Sequence, residues 1–276
     1  IIIIIIIIII IIIIIIIIIV IIIIIVIIVI IVIIIIIVII VLVVICKLGR
    51  VRLQHAHEQL DRALANQQRV SGNSKSLHHR MFEISAANLD LFDLEPIVSF
   101  AEAVIDSPCH VIHNNSFITP PGGGISSWHQ DDPPHFLVTE GEPPKNILLP
   151  VLFFTCNYML TDIDEVAQGP TQIVPGSHLF GAAAPNPIEG TPYEDQVFSG
   201  VGPAGSVTIF NNQVWHRGGP NQSQRTRYMT QITYARRVIG HKFFPFMNYQ
   251  MPEYVYRDAD ERRRRLLGFL PHGAYG

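Results

Sequence analysis

Beyond residue 47 the hydrophobic pattern changes character along the chain. Residues 51–69 place Leu53, Leu60 and Leu64 among charged and amide side chains, a spacing that predicts an amphipathic helix. The small polar stretch from Ser71 to Ser76 predicts a loop. A second helix is predicted from Glu95 to Ile105, with Pro96 in the first turn, where a missing N–H costs nothing. From there the pattern becomes short apolar or alternating runs punctuated by Gly and Pro: His110–Ile118, Leu148–Thr155, Thr171–Val174, Ser206–Phe210, Val214–His216 and Thr226–Tyr234. Such runs predict the antiparallel strands of a sandwich or barrel. A last helix is predicted over Asp258–Leu267, where Asp258/Arg262 and Glu261/Arg265 stand at i,i+4. We read its Arg262–Arg265 run as a solvated face, not an anion-binding patch.

Residues 1–45 contain only Ile, Val and the single Leu42. As a helix they would extend about 67 Å, twice the hydrocarbon thickness of a bilayer, with no polar break. A flat strand of β-branched residues would instead template aggregation. No basic stretch precedes the tract and no small-residue cleavage site ends it, so a signal peptide fits badly. We therefore treat 1–45 as filler standing for unknown sequence and 46–276 as one domain. A genuine membrane anchor is the alternative, and a membrane partner is expected only in that case.

The tract also inflates the bulk hydrophobicity. The remainder is roughly 40% apolar, an ordinary globular value. A net charge of −3 gives no electrostatic reason to expect a nucleic-acid partner. Cys46, Cys109 and Cys156 are widely spaced and form no C-x-x-C, which fits a reducing, cytoplasmic location rather than a disulfide framework. What stands out is the presence of 12 His.

The sharpest local feature is Trp128-His129-Gln130-Asp131. In a strand, residues i and i+2 point to one face, so His129 and Asp131 can converge on one cation. A second element, Val214-Trp215-His216-Arg217-Gly218-Gly219-Pro220-Asn221, follows an apolar run and precedes a Gly/Pro turn. His216, pointing into a barrel, would complete two imidazoles and one carboxylate, the facial triad of non-haem Fe(II) oxygenases. That set leaves metal positions for a chelating 2-oxo acid and dioxygen. Arg227 shares a strand face with Met229, Gln231 and Thr233, and its planar fork suits the far carboxylate of a 2-oxo diacid.

The H-x-D pair, a His 87 residues later and an Arg 11 residues beyond it together resemble the phytanoyl-CoA dioxygenase family of Fe(II)/2-oxoglutarate enzymes. The stretch Gly169-Pro-Thr-Gln-Ile-Val-Pro-Gly-Ser-His178 is similar to that family's Gly-x-x-x-x-x-Pro-Gly-Ser-His. The likeness spans Val111 to Arg237 and, more loosely, Leu266–Gly276. It implies a mainly β fold with flanking helices, a double-stranded β-helix (jelly-roll, cupin-like) barrel. It further implies that His129, Asp131 and His216 bind Fe(II) and that Arg227 binds the C5 carboxylate of the cosubstrate 2-oxoglutarate. The family often carries a hydroxyl residue two positions after the distal His, where this chain has Gly218, and Thr171 is our candidate in its place. The implied reaction uses dioxygen to hydroxylate an unactivated C–H bond of a small organic molecule, releasing succinate and CO2. A related halogenating subclass replaces the metal carboxylate with a small residue, so Asp131 favours hydroxylation.

Bland roles are assigned elsewhere. His178 is read as structural, His135 as a rim residue, and Arg225 as a weaker competitor of Arg227. Trp128 and Trp215 are read as packing, Phe153, Phe154, Tyr158 and Met159 as core, and His55, His57, His78 and His79 as surface. The rival functions are a cupin-like metal isomerase or hydrolase and a catalytically silent module. Turnover of 2-oxoglutarate and binding of iron separate them.

Overall fold

The computed structural model describes residues 77–241 and 250–269, apart from 84, 107 and 126. The chain divides into two units, Ile1–Leu42 and Val43–Gly276, and every described residue lies in the second. The Ile/Val tract, the 51–69 helix, the 71–76 loop, Cys46, His55 and His57 fall outside the described residues, as does the end of the chain beyond 269.

Among the described residues, eight strands form two antiparallel sheets. β1 (Leu77–His79), β2 (His110–Thr119), β8 (Arg227–Ala235), β3 (Phe153–Met159) and β6 (Val207–Asn211) make the larger, in that spatial order. β5 (Phe198–Ser199), β4 (Thr171–Ile173) and β7 (His216–Gly218) make the smaller. Helices α1 (Ala86–Asp90) and α2 (Ile97–Val104) precede β2, and α3 (Glu253–Tyr256) and α4 (Glu261–Leu266) follow β8. No helix among the described residues is long and apolar enough to cross a membrane.

The alternation in β8 assigns the two faces of the larger sheet. Tyr228, Ile232 and Tyr234 join Phe154, Cys156 and Tyr158 of β3 and Val207 and Ile209 of β6 in the main core, beneath Phe82, Leu91, Phe92, Ile97 and Val98. Burying each large apolar side chain contributes roughly 1.5–3 kcal/mol. The Tyr234 hydroxyl is satisfied there by donating to the Phe92 carbonyl at 2.8 Å. The opposite parity, Arg227, Met229 and Gln231, lines a cavity between the sheets.

Several expectations need correction. The second run, Leu148–Thr155, forms a strand only from Phe153, because Pro150 offers no N–H to a ladder, and Leu148 is 95% exposed. α2 begins at Ile97 with Pro96 at its N-cap, close to the predicted boundary. α4 is shorter than predicted, and its arginines form neither expected i,i+4 pair. Arg262 donates to Glu102 and to Glu95, and Arg263 grips Asp93 with two bonds at 3.0 and 2.7 Å. Arg265 bonds Glu102 and the Cys109 carbonyl. Arg262, Arg263 and Arg265 thus clamp onto the α1–α2 region, and Arg264 donates to the Ala259 and Arg257 carbonyls, so the run is not a solvated face. His78, expected at the surface, is buried, whereas its neighbour His79 is exposed.

Candidate metal and cosubstrate site

His129 and His216 meet across an isolated antiparallel bridge, each backbone N–H donating to the other's carbonyl at 3.0 and 2.9 Å. Their rings lie 4.3 Å apart, centroid to centroid. The H-x-D segment therefore does not run on a regular strand as expected. Pro133 and Pro134 follow at once and cannot donate to a ladder. Instead, Asp131 is held by the turn after β6: its N–H donates to the Asn212 carbonyl, and its Oδ2 accepts from Asn212 Nδ2 at 2.7 Å.

His129, Asp131 and His216 each offer a ligand atom, and these atoms lie within 4.8 Å of one another. Asp131 Oδ1 is 3.6 Å from His216 Nε2. His129 Nδ1 lies 2.9 Å from the Ser127 carbonyl, and His216 Nδ1 lies 2.8 Å from the Val214 carbonyl. A carbonyl only accepts, so each Nδ1 carries a proton, which leaves Nε2 as the nitrogen available to a metal. Burial, and then the neighbouring His216, hold His129 below the usual histidine range and keep it neutral. Two imidazoles and one carboxylate so placed fit a divalent cation.

Arg227 lines the same cavity and is 4% exposed. Its Nη2 donates to Thr119 Oγ1 at 3.0 Å, while Nε and Nη1 are buried and have no hydrogen-bond partner. Burial lowers its pKa to about 10, which leaves it charged at neutral pH. A buried guanidinium so poorly satisfied is costly unless an anion enters beside it. Arg225, two residues away, is exposed and pairs with Asp164 at 3.3 Å.

The smaller sheet supplies the facing wall. Gly169, at φ +70°, lies against the Gly219 backbone, where a Cβ would come within 2.4 Å of the Gly219 carbonyl. This close approach lets β4 pair with β7, Thr171 opposite Gly218 and Ile173 opposite His216. Ser177 of the Pro-Gly-Ser-His stretch accepts from the Trp215 N–H at 2.8 Å and donates to the Val174 carbonyl at 2.7 Å, tying that turn to the strand bearing His216. His178, on this turn, lies outside the cluster of ligand atoms.

Thr171 lines the cavity and accepts from Asn157 Nδ2 at 3.0 Å. Asn157 Oδ1 in turn accepts from Gln231 Nε2 at 3.1 Å, which fixes the Asn157 amide with its donor toward Thr171. The Thr171 hydroxyl hydrogen meets only the Met229 sulfur, 3.7 Å away, and a weak acceptor there is readily exchanged for a carboxylate.

Trp128 and Trp215 pack together with Val174 and Ile188, Phe153, Phe154, Tyr158 and Met159 are buried, and His135 is exposed beside Asp132. Two contributors escaped the sequence reading. Thr119 is the cross-strand partner of Arg227, a pairing that neither strand's own pattern marks. The Asn211–Gln213 turn carries no motif that marks it.

A family model described as Phytanoyl-CoA dioxygenase (PhyH) matches residues 48–229. Dioxygenase trt7 of Aspergillus terreus is 29% identical over 150 residues, 54% of this chain and 48% of that protein, so the chain spans about half the length of this curated relative. Among solved structures, the non-haem monooxygenase ThoJ in its apo form matches with a TM-score of 0.53 at 18% identity, covering 70% of this chain and 72% of ThoJ. HygX from Streptomyces hygroscopicus, with nickel and 2-oxoglutarate bound, matches with a TM-score of 0.56 at 14% identity, covering 74% of this chain and 83% of HygX. These likenesses establish a shared mainly β fold.

Proposed function

Because the chain belongs to the phytanoyl-CoA dioxygenase family, we propose that it is a non-haem Fe(II)/2-oxoglutarate-dependent oxygenase that hydroxylates a small organic molecule. The two sheets are then the walls of a double-stranded β-helix. His129 Nε2, Asp131 and His216 Nε2 hold the iron, Arg227 takes the C5 carboxylate of 2-oxoglutarate, and Thr171 donates a second hydrogen bond to that cosubstrate. The observation that carries this reading is the buried, under-satisfied Arg227 guanidinium in the same cavity as the His-Asp-His cluster. A metal barrel of another chemistry has no need of that charge.

When bound, Fe(II) with 2-oxoglutarate supplies the means to activate dioxygen for attack on a C–H bond, with succinate and CO2 as co-products. The protein's part is positioning. Nδ1 bonds to backbone carbonyls fix both imidazoles, the amides orient Thr171, and Arg227 fixes the far end of the diacid. The cavity, about 190 Å³, is smaller than the roughly 300–1,000 Å³ usual for small-molecule pockets. It suits the cosubstrate and the reacting end of the substrate, with the remainder of the substrate lying toward Leu77, His113 and the exposed Ile125.

The test is anaerobic loading with Fe(II) followed by titration with 2-oxoglutarate. A visible absorption band that appears only with both, and succinate formed once air is admitted, are the expected results. Iron binding with no response to 2-oxoglutarate would point instead to a cupin-like metalloenzyme, and no iron binding to a silent module.

A further inference from the structure

The turn formed by Asn211, Asn212 and Gln213 holds the H-x-D segment by side chain and backbone together. Gln130 Nε2 donates to the Gln213 carbonyl at 3.1 Å, and Gln213 Nε2 donates to the Pro133 carbonyl at 3.2 Å. The His135 N–H donates to Gln213 Oε1 at 2.9 Å. At the centre, Asn212 takes Asp131 twice, accepting from its N–H at 3.1 Å and donating to its Oδ2 at 2.7 Å. Asn212 is 1% exposed, and Nδ2 also reaches Thr155 Oγ1 at 3.3 Å, which lies 3.0 Å from Thr233 Oγ1. The amide is therefore fixed against β3 and β8. Its Oδ1 is buried with no hydrogen-bond partner. Turning the amide over would set that oxygen against the carboxylate, so the orphaned acceptor is the lesser cost.

We propose that Asn212 is a positioning residue that makes Asp131 a one-oxygen metal ligand. Holding Oδ2 leaves Oδ1, the oxygen beside His216 Nε2, to the ion. A carboxylate released from that bond can chelate with both oxygens and take a metal position that the 2-oxo acid needs. The inference rests on the iron site proposed above and goes beyond it, because it concerns how many metal positions stay open.

Cobalt(II) is the probe, since its visible spectrum reports coordination without turnover. Full-length wild type, Asn212→Ala and the isosteric Asn212→Asp are titrated with Co(II) and then with 2-oxoglutarate, and thermal unfolding checks their folding. Both variants should still bind Co(II) with an altered spectrum, and should need roughly 10- to 100-fold more 2-oxoglutarate to produce the spectral change. A folded variant with the wild-type spectrum and wild-type 2-oxoglutarate requirement would overturn the inference. So would a folded variant that loses Co(II) entirely, because Asn212 would then assemble the site rather than set the mode of ligation. Infrared difference spectra of the wild type on Co(II) binding need no variant. Widely separated carboxylate stretches are expected, and a narrow, chelating separation would refute the proposal even if neither variant folds. Failure of the wild type to bind Co(II) or to respond to 2-oxoglutarate would instead be failure of the underlying functional reading.

Discussion

Arg227 and Arg225 are two residues apart in sequence, yet their surroundings give them opposite costs. Arg225 stands in solvent, and its pair with Asp164 is of the kind worth about 0–1 kcal/mol. Arg227 sits in the cavity with two nitrogens unbonded, so its charge becomes favourable only when an anion enters. Losing a charge-assisted pair in such a site costs roughly 2–5 kcal/mol, or about 30- to 5,000-fold in affinity. Arg227→Met should therefore raise the 2-oxoglutarate requirement by that factor and leave Fe(II) binding nearly unchanged, and Arg225→Met should be mild. Calorimetric titration of the two variants reads both quantities. An unaltered requirement in Arg227→Met would mean that Arg227 does not hold the diacid. Strand parity made this arginine legible in the sequence. Its hydroxyl partner Thr119 was not legible, because it is contributed by a strand more than 100 residues earlier, and pairing register cannot be read from one strand alone.

Among the elements, β8 was the most readable, because its alternation meets two different interiors. One face fills the helix-covered core and the other faces the cavity, and only the second tolerates Arg and Gln. The H-x-D segment was readable as chemistry but not as structure, since hydrogen bonds from a turn about 80 residues away do the work expected of a strand. α4 misled for a related reason. Local i,i+4 charge spacing suggested a solvated helix, but carboxylates on the α1–α2 region outcompete the local ones with paired, partly buried geometry. Replacing Arg262 and Arg263 together by Leu should cost about 2–4 kcal/mol at neutral pH, read by chemical denaturation. The hydrogen bond from Arg262 holds Glu102 below the usual carboxylate range. A group with a depressed folded-state value stabilises above its unfolded value, and that contribution is lost as pH falls through the folded one. The gap between wild type and variant should thus be full at neutral pH and narrow below about pH 4. A gap independent of pH would mean that packing by the arginine stems, and not ion pairing, anchors α4.

For the whole molecule, the decisive arrangement is that the proposed ligands come from both sheets. His216 and Thr171 belong to the smaller sheet and Arg227 to the larger, with Asp131 tied to the end of β6. A metal and a diacid bound between them would join the two walls and neutralise a buried charge that otherwise destabilises the fold. Ligands that bind only the folded state at about 100 times their dissociation constant add roughly 2.7 kcal/mol each. At roughly 2–4 °C per kcal/mol for a domain of this size, Co(II) with 2-oxoglutarate should raise the unfolding temperature by about 10–20 °C. Arg227→Met should keep the part due to metal and lose most of the part due to 2-oxoglutarate. The same measurement tests where the domain begins. Residues 1–45 offer no polar contrast from which a site or an amphipathic contact could be built. A chain starting at Lys47 should therefore fold and show both steps of the rise undiminished. Loss of the rise on truncation, with the full chain showing it, would make the tract part of the domain.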